Sequence, residues 1–331
     1  MRTHGSRPVG LPTLTPNREQ AAPPSRRQFL ALGGAVLLGG VAVACGGDSD
    51  DQGSTEGDQG STGTGGSSDT TGAIGGSSGT RDGFVVVQRF PSGQRLTPGD
   101  VRLALSLART DGALLTDGPA RLTGLLRNEQ GATVATIDTP RRGAGLGVPY
   151  WSITATLTEP GLYDLLLDGA VGDPAPFFLY DAAEVSIPTV GSTLPRFDTP
   201  TTDDARGVDP VCTRLDGPCP FHDITLTDAL GLGKPVVYLI GTPAHCATAT
   251  CGPGLDFLMA AAQQYADMAT FVHAEVYADP EATVVAPAVL DYTLDYEPVM
   301  WITDATGTVV RRIDIVWDAE ELGEMLAESL A

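Results

Sequence analysis

Four cysteines and three histidines fall between Cys212 and His273; the chain's remaining members of these types are Cys45 and His4. Thiols and imidazoles in one neighbourhood can do three things. A thiolate can attack a disulfide, two thiols can close into a fixed staple, or thiols and imidazoles together can hold a soft divalent metal. The stretch GTPAHCATATCGPGLDF (241–257) places four residues between Cys246 and Cys251, with Gly252-Pro253 directly after. Proline suits the first turn of a helix, so a helix is predicted to open at Cys251. Five helical steps rise about 7.5 Å, whereas bonded cysteines keep their Cα atoms within about 7 Å. Cys246 is therefore expected on a loop that bulges back toward the helix N-terminus. Free amides and the helix dipole there favour a thiolate, and a protonated His245 would add to that. Cys246 is the candidate nucleophile and Cys251 its resolving partner.

A second group lies in DPVCTRLDGPCPFHD (209–223), where Cys212 and Cys219 flank the turn former Asp216-Gly217-Pro218. A local structural disulfide is the default expectation for them. The alternative joins Cys219, His222, His245 and Cys246 into a copper or zinc site, with His273 in reserve or simply buried and satisfied. The exchange reading calls for no cofactor.

These residues need elements to position them. GKPVVYLIG (233–241) is a short β-rich apolar run fit for a buried parallel strand, and Leu255, Leu258, Met259, Ala262 and Ala266 recur at helical spacing after the cysteine pair. TFVHAEVY (270–277) reads as the next strand. PVMWITD and TVVRRIDIVW flank the turn Ala305-Thr306-Gly307, and Asp318-Ala319-Glu320-Glu321 is a capping-box pattern opening a last helix. Strand, helix, strand, hairpin and closing helix, with cysteines between the first strand and first helix, resemble the thioredoxin fold over residues 190–331. The resemblance rests on Gly233-Lys234-Pro235-Val236-Val237, on Cys246 and Cys251-Gly252-Pro253, and on Glu297-Pro298 before the hairpin. It implies that Pro298 is the cis-proline that packs beside the cysteines and shapes a substrate groove. Members of the family often carry a buried proton-moving acid on the first strand, but residues 235–241 contain none. A peroxiredoxin-type activity ranks below exchange, because Pro298 stands where that family needs an arginine.

Residues 84–185 carry seven short apolar or alternating runs, FVVVQRF, VRLALSLA, ARLTGLLR, ATVATID, WSITATL, LYDLLLD and PFFLYD, punctuated by Gly, Pro and Asp. Seven such runs predict an antiparallel sandwich. Pro160-Gly161-Leu162-Tyr163 resembles the tyrosine corner of immunoglobulin-like folds. With no cysteine or histidine, this segment is expected to be a spacer or docking module.

The remaining sequence speaks to location. Ser25-Arg26-Arg27-Gln28-Phe29-Leu30 precedes an apolar stretch from Phe29 to Ala44, which is short for a membrane span of about twenty residues. It resembles a twin-arginine export signal, and Ala42-Val43-Ala44-Cys45-Gly46 resembles a bacterial lipoprotein box. The resemblance implies cleavage before Cys45 and attachment of lipid to its sulfur. Residues 45–83, nearly all Gly, Ser, Thr and Asp, bury too little apolar surface to fold and read as a tether. The expected organisation is a signal peptide (1–44), that tether, a β-sandwich domain (84–185) and a thioredoxin-like domain (186–331).

The chain carries −21 formally, and residues 1–44 hold five arginines against Glu19, so residues 45–331 carry −25. That surface repels phosphate backbones and excludes nucleic acid as a partner. The expectation is a protein on the extracytoplasmic face of the cell membrane, lipid-anchored, whose partners are exported thiol or disulfide proteins. A metal-handling lipoprotein and a non-catalytic binding lipoprotein remain as alternatives.

Overall fold

The computed structural model describes residues 83–331. The expected signal peptide, the lipidated Cys45 and all but the last residue of the tether lie outside the described residues. What is described consists mostly of β-sheets, arranged as a sandwich and a second mixed sheet, with a few helices.

Seven strands make the first body: β1 (Val85–Gln88), β2 (Gly99–Ala108), β3 (Arg121–Asn128), β4 (Thr133–Arg142), β5 (Tyr150–Leu157), β6 (Gly161–Leu167) and β7 (Ala175–Leu179). All pair antiparallel in the order β1-β2-β5-β4-β3-β6-β7. β4 lies along β3 for most of its length but meets β5 only through Arg141 and Arg142, so it crosses from one layer to the other. Side chains alternate across a strand, and Leu103, Leu105 and Leu107 of β2 meet Leu122, Leu126, Trp151, Leu165 and Leu179 in the core between layers. The hydroxyl of Tyr163 donates to the carbonyl of Glu159 at 2.8 Å and ties the turn to the strand it starts.

The second body holds β8 (Val236–Ile240), β9 (Thr270–Ala274), β10 (Val299–Thr303) and β11 (Val309–Asp314) in the order β11-β10-β8-β9. β8 and β9 are parallel, joined through helix α2, and the other neighbours are antiparallel. Four α-helices accompany the sheet: α1 (Leu226–Ala229), α2 (Cys251–Tyr265), α3 (Pro287–Asp291) and α4 (Ala319–Ser329). β8 is buried at every position because both faces are covered. Val237 and Leu239 pack with Leu255, Leu258, Leu322 and Leu326 of α2 and α4. Val236, Tyr238 and Ile240 pack with residues of α1 and α3 on the opposite face. The turn at Ala305-Thr306-Gly307 holds through Asp304, whose Oδ1 accepts from the amides of Thr306 and Thr308 while Gly307 takes φ +85°.

A polar joint ties the two bodies together. Asp318 caps α4 by accepting from the Glu321 amide at 2.9 Å. The reciprocal half of the expected capping box does not form. The Asp318 amide donates instead to the Tyr150 hydroxyl, and the Glu321 carboxylate takes Arg102 in a forked pair at 2.8 Å plus Tyr150 at 2.6 Å. Arg102 also donates to the carbonyl of Val316. Tyr150, Ala104 and Val316 pack beside this network, which is why β2 is buried on both faces although only one lines the sandwich core.

Candidate functional site

Helix α2 opens at Cys251 with its first amides unclaimed by a cap, since the Thr250 hydroxyl donates away to the Ile315 carbonyl at 2.6 Å. The loop of residues 241–250 returns Cys246 to that end. Its sulfur accepts from the Cys251 amide at 3.2 Å and lies 3.2 Å from the Thr248 hydroxyl. The Cys251 thiol, Thr248 and the amides of Cys251 and Thr250 together outweigh partial burial and lower the Cys246 pKa to about 5. An amide-rich helix start is where a thiolate is expected to be held. Arg89, just past β1, has its pKa lowered by burial and partly restored by the Cys246 charge, so the sandwich contributes a cation to this field.

Cys251 sits in the opposite environment. It is 2% exposed, and burial, Cys246 and Glu297 all push its pKa well up. Its thiol donates to Glu297 Oε2 at 2.6 Å. Burial first, and then the Cys246 charge, raise the Glu297 carboxyl to about 8. The Glu297–Pro298 peptide is cis. A Cβ built on Gly241 would stand 3.2 Å from Pro298 Cβ and 3.6 Å from Cys251 Sγ, so proline and buried thiol both pack closely against this position.

The sequence-predicted residues thus separate into two groups. Cys246, Cys251 and Pro298 come together, joined by Glu297. His245 is next to Cys246 in sequence, but its ring stands edge-on to Tyr277, centroids 5.9 Å apart. The proposed metal set of Cys219, His222, His245 and Cys246 is not assembled. Cys219 and His222 join Cys212 and His273 instead, and these four place their ligand atoms within 4.8 Å of one another, all buried. Cys246, Cys251 and Glu297 form a separate three-donor group within the same limit. The expected Cys212–Cys219 disulfide is not formed in this structure. The two sulfurs are unbonded and lie 3.9 Å and 3.5 Å from His273 Nδ1.

Sequence reasoning missed Glu297 because the acid was sought on the first strand; its signal was the residue beside Pro298. Glu275 was missed as well. It is buried directly after β9, and its Oε1 accepts from the amide and hydroxyl of Thr213. Clefts elsewhere do not compete for the chemistry. One lined by Leu96, Asp100, Arg102 and Arg312, and one lined by Arg141, Arg142, Gly143 and Asp318, run along the joint and contain no cysteine.

No family model matches the chain, and no curated protein is similar to it by sequence. One similar solved structure is the PKD domain from the human VPS10 domain-containing receptor SorCS2, in solution. It is 18% identical, covers 35% of this chain and 96% of its own, and has a TM-score of 0.17. A likeness at that level carries no argument about function.

Proposed function

We propose that this protein exchanges thiols and disulfides with exported partner proteins through Cys246 and Cys251. In this reading a thioredoxin-like C-terminal unit does the chemistry and an immunoglobulin-like sandwich supports it, anchored by lipid at Cys45 on the extracytoplasmic face. The observation that carries the reading is the opposed tuning of the two thiols: Cys246 is half-buried and held as a thiolate, while Cys251 is buried and protonated against Glu297.

The reaction follows from that geometry. The Cys246 thiolate attacks a partner disulfide; a Cys246–partner sulfur bond forms, the partner's S–S bond breaks, and its second sulfur leaves as thiolate. The Glu297 carboxylate then takes the Cys251 proton. Cys251 attacks the Cys246 sulfur, closes the internal disulfide and releases the partner's first sulfur. Two electrons pass from the pair to the partner; run backwards, the same steps oxidise a partner dithiol. The absence of an acid on β8 does not count against the reading, because Glu297 reaches the same thiol from the loop before β10. Pro298, beside Cys251, would border the partner's sulfur.

Equilibration of the purified protein with graded thiol–disulfide buffers tests this. A Cys246–Cys251 couple that opens and closes reversibly is expected. A pair that stays closed under mild reductant, or never closes, would leave a staple or an inert thiol pair and defeat the proposal.

A further inference from the structure

Behind the exchange pair lies a second, sealed group. Cys219 and His222 belong to the turn Cys219-Pro220-Phe221-His222, Cys212 to the loop before it, and His273 to β9. His222 and His273 are 0% exposed, and Cys212 and Cys219 are 4% and 2% exposed. The His273 Nε2 lies 3.0 Å from the Gly241 carbonyl, which can only accept, so this nitrogen carries the proton. In the neutral ring Nδ1 is then the acceptor, the nitrogen that could bind a metal. It points at His222 Nε2 (3.0 Å), Cys219 Sγ (3.5 Å) and Cys212 Sγ (3.9 Å). A backbone carbonyl fixing the far nitrogen is the usual support for a metal-ligating imidazole.

We propose that Cys212, Cys219, His222 and His273 bind one zinc ion in a closed, four-coordinate site. Zinc bonds of about 2.3 Å to sulfur and 2.0–2.1 Å to nitrogen put tetrahedral ligand atoms roughly 3.3–3.8 Å apart. The contacts above bracket that spacing. Two thiolates and one divalent cation sum to zero charge, which a dry interior accepts, whereas two thiols and two imidazoles left alone satisfy one another poorly. Two sulfurs and two nitrogens with no fifth donor suit tetrahedral zinc over the tetragonal preference of divalent copper. A disulfide between the cysteines would need neither histidine.

The site has a structural consequence next to the exchange pair. Thr213 follows Cys212; its hydroxyl accepts from the Ala244 amide at 3.1 Å, and Glu275 holds it from the other side. An ion at Cys212 therefore fixes the support from which the loop carrying Cys246 hangs. The inference stands apart from the exchange reading, since it uses none of the residues of that pair.

The test uses the full chain, purified under reducing conditions without chelator. Elemental analysis should find one zinc per chain, and cobalt replacing it should give the visible bands of tetrahedral thiolate coordination. Cys246→Ser with Cys251→Ser should leave zinc affinity unchanged. Cys212→Ser or His273→Gln should weaken it by about tenfold or more. Should these variants fail to fold, the wild-type chain still decides: Cys212 and Cys219 should resist alkylation until a chelator is added. Free thiols with no bound metal overturn the proposal. So does a Cys212–Cys219 disulfide in the protein as isolated, or metal that is lost with Cys246 and Cys251.

Discussion

The Cys251 thiol donates to Glu297 Oε2 at 2.6 Å, so that carboxylate is placed to take the proton of the buried sulfur of the pair. Glu297→Gln should leave the first attack by Cys246 nearly intact and slow closure of the internal disulfide by roughly a hundredfold, the scale of a positioned acid–base group. The closure rate of the wild type should rise with pH through about 8, where Glu297 becomes a base. In the variant that inflection should vanish. Stopped-flow measurement of mixed-disulfide formation and decay separates the two steps, and an unchanged closure profile would remove Glu297 from the mechanism.

Cys246 should alkylate as a thiolate with a midpoint near pH 5, well below an unperturbed cysteine at about 8.5. The sign for stability follows. A depressed folded pKa stabilises the reduced protein fully above the unfolded value, and that contribution fades as pH falls toward 5. Relative to Cys246→Ser, the reduced wild type should lose its advantage in denaturant midpoint between about pH 8.5 and 5. Peptide-resolved alkylation and urea titrations across that window check both statements.

Cys251→Ser should accumulate mixed disulfides between Cys246 and partner proteins, because the attacking sulfur remains and the resolving one is gone. Cys246→Ser should trap few, since Cys251 is 2% exposed and held protonated. Non-reducing gels of the two variants compare them directly; equal trapping would mean that the roles of the two thiols are wrongly assigned.

Glu321→Gln should destabilise the protein by about 3–5 kcal/mol, because it strands Arg102 without its charge partner at a site where the two side chains are 11% and 6% exposed. Burial alone would raise the Glu321 pKa, but Arg102 overrides it and holds the carboxyl at about 2. This contribution is therefore present above the unfolded value of about 4.3 and is lost as pH falls through 2. Acid unfolding followed by circular dichroism should show the wild type losing stability relative to Arg102→Leu/Glu321→Leu in that range. A parallel course would deny the pair its role.

Cys45→Ala should release the protein from membranes if its sulfur carries the anchoring lipid. Fractionation of cells expressing each form gives the answer, and retention of the variant would point to an uncleaved apolar segment instead.

Much of this arrangement could be read from residue order. The seven apolar runs of the sandwich are the seven strands, since each alternates or stays apolar over strand length and ends at Gly, Pro or Asp. The Cys251-Gly252-Pro253 start of α2 was visible for the same local reason. α1 and α3, at four and five residues, are too short to display a helical period. The string TFVHAEVY looks like one strand, yet β9 stops at Ala274, because Glu275 turns to hold Thr213. Glu321 fits a capping box by spacing, but a partner more than two hundred residues away claims its carboxylate. The structure groups the candidate metal donors differently for a related reason. His222 and His245 look equally eligible on paper, and only the packing of the 209–222 loop on β9 separates them.

Gly241 separates two reservoirs of sulfur: its carbonyl holds His273 on one side, and its missing side chain admits Pro298 and Cys251 on the other. Four thiols crowded into so small a volume would ordinarily scramble, each attacking its neighbours' bridges. Of these four, only Cys246 is more than a few per cent exposed, and Cys212 and Cys219 are buried with their sulfurs turned to the His273 ring. In the exchange reading, electrons would pass through Cys246 at the surface while Cys212 and Cys219, buried against His273, stay out of circulation.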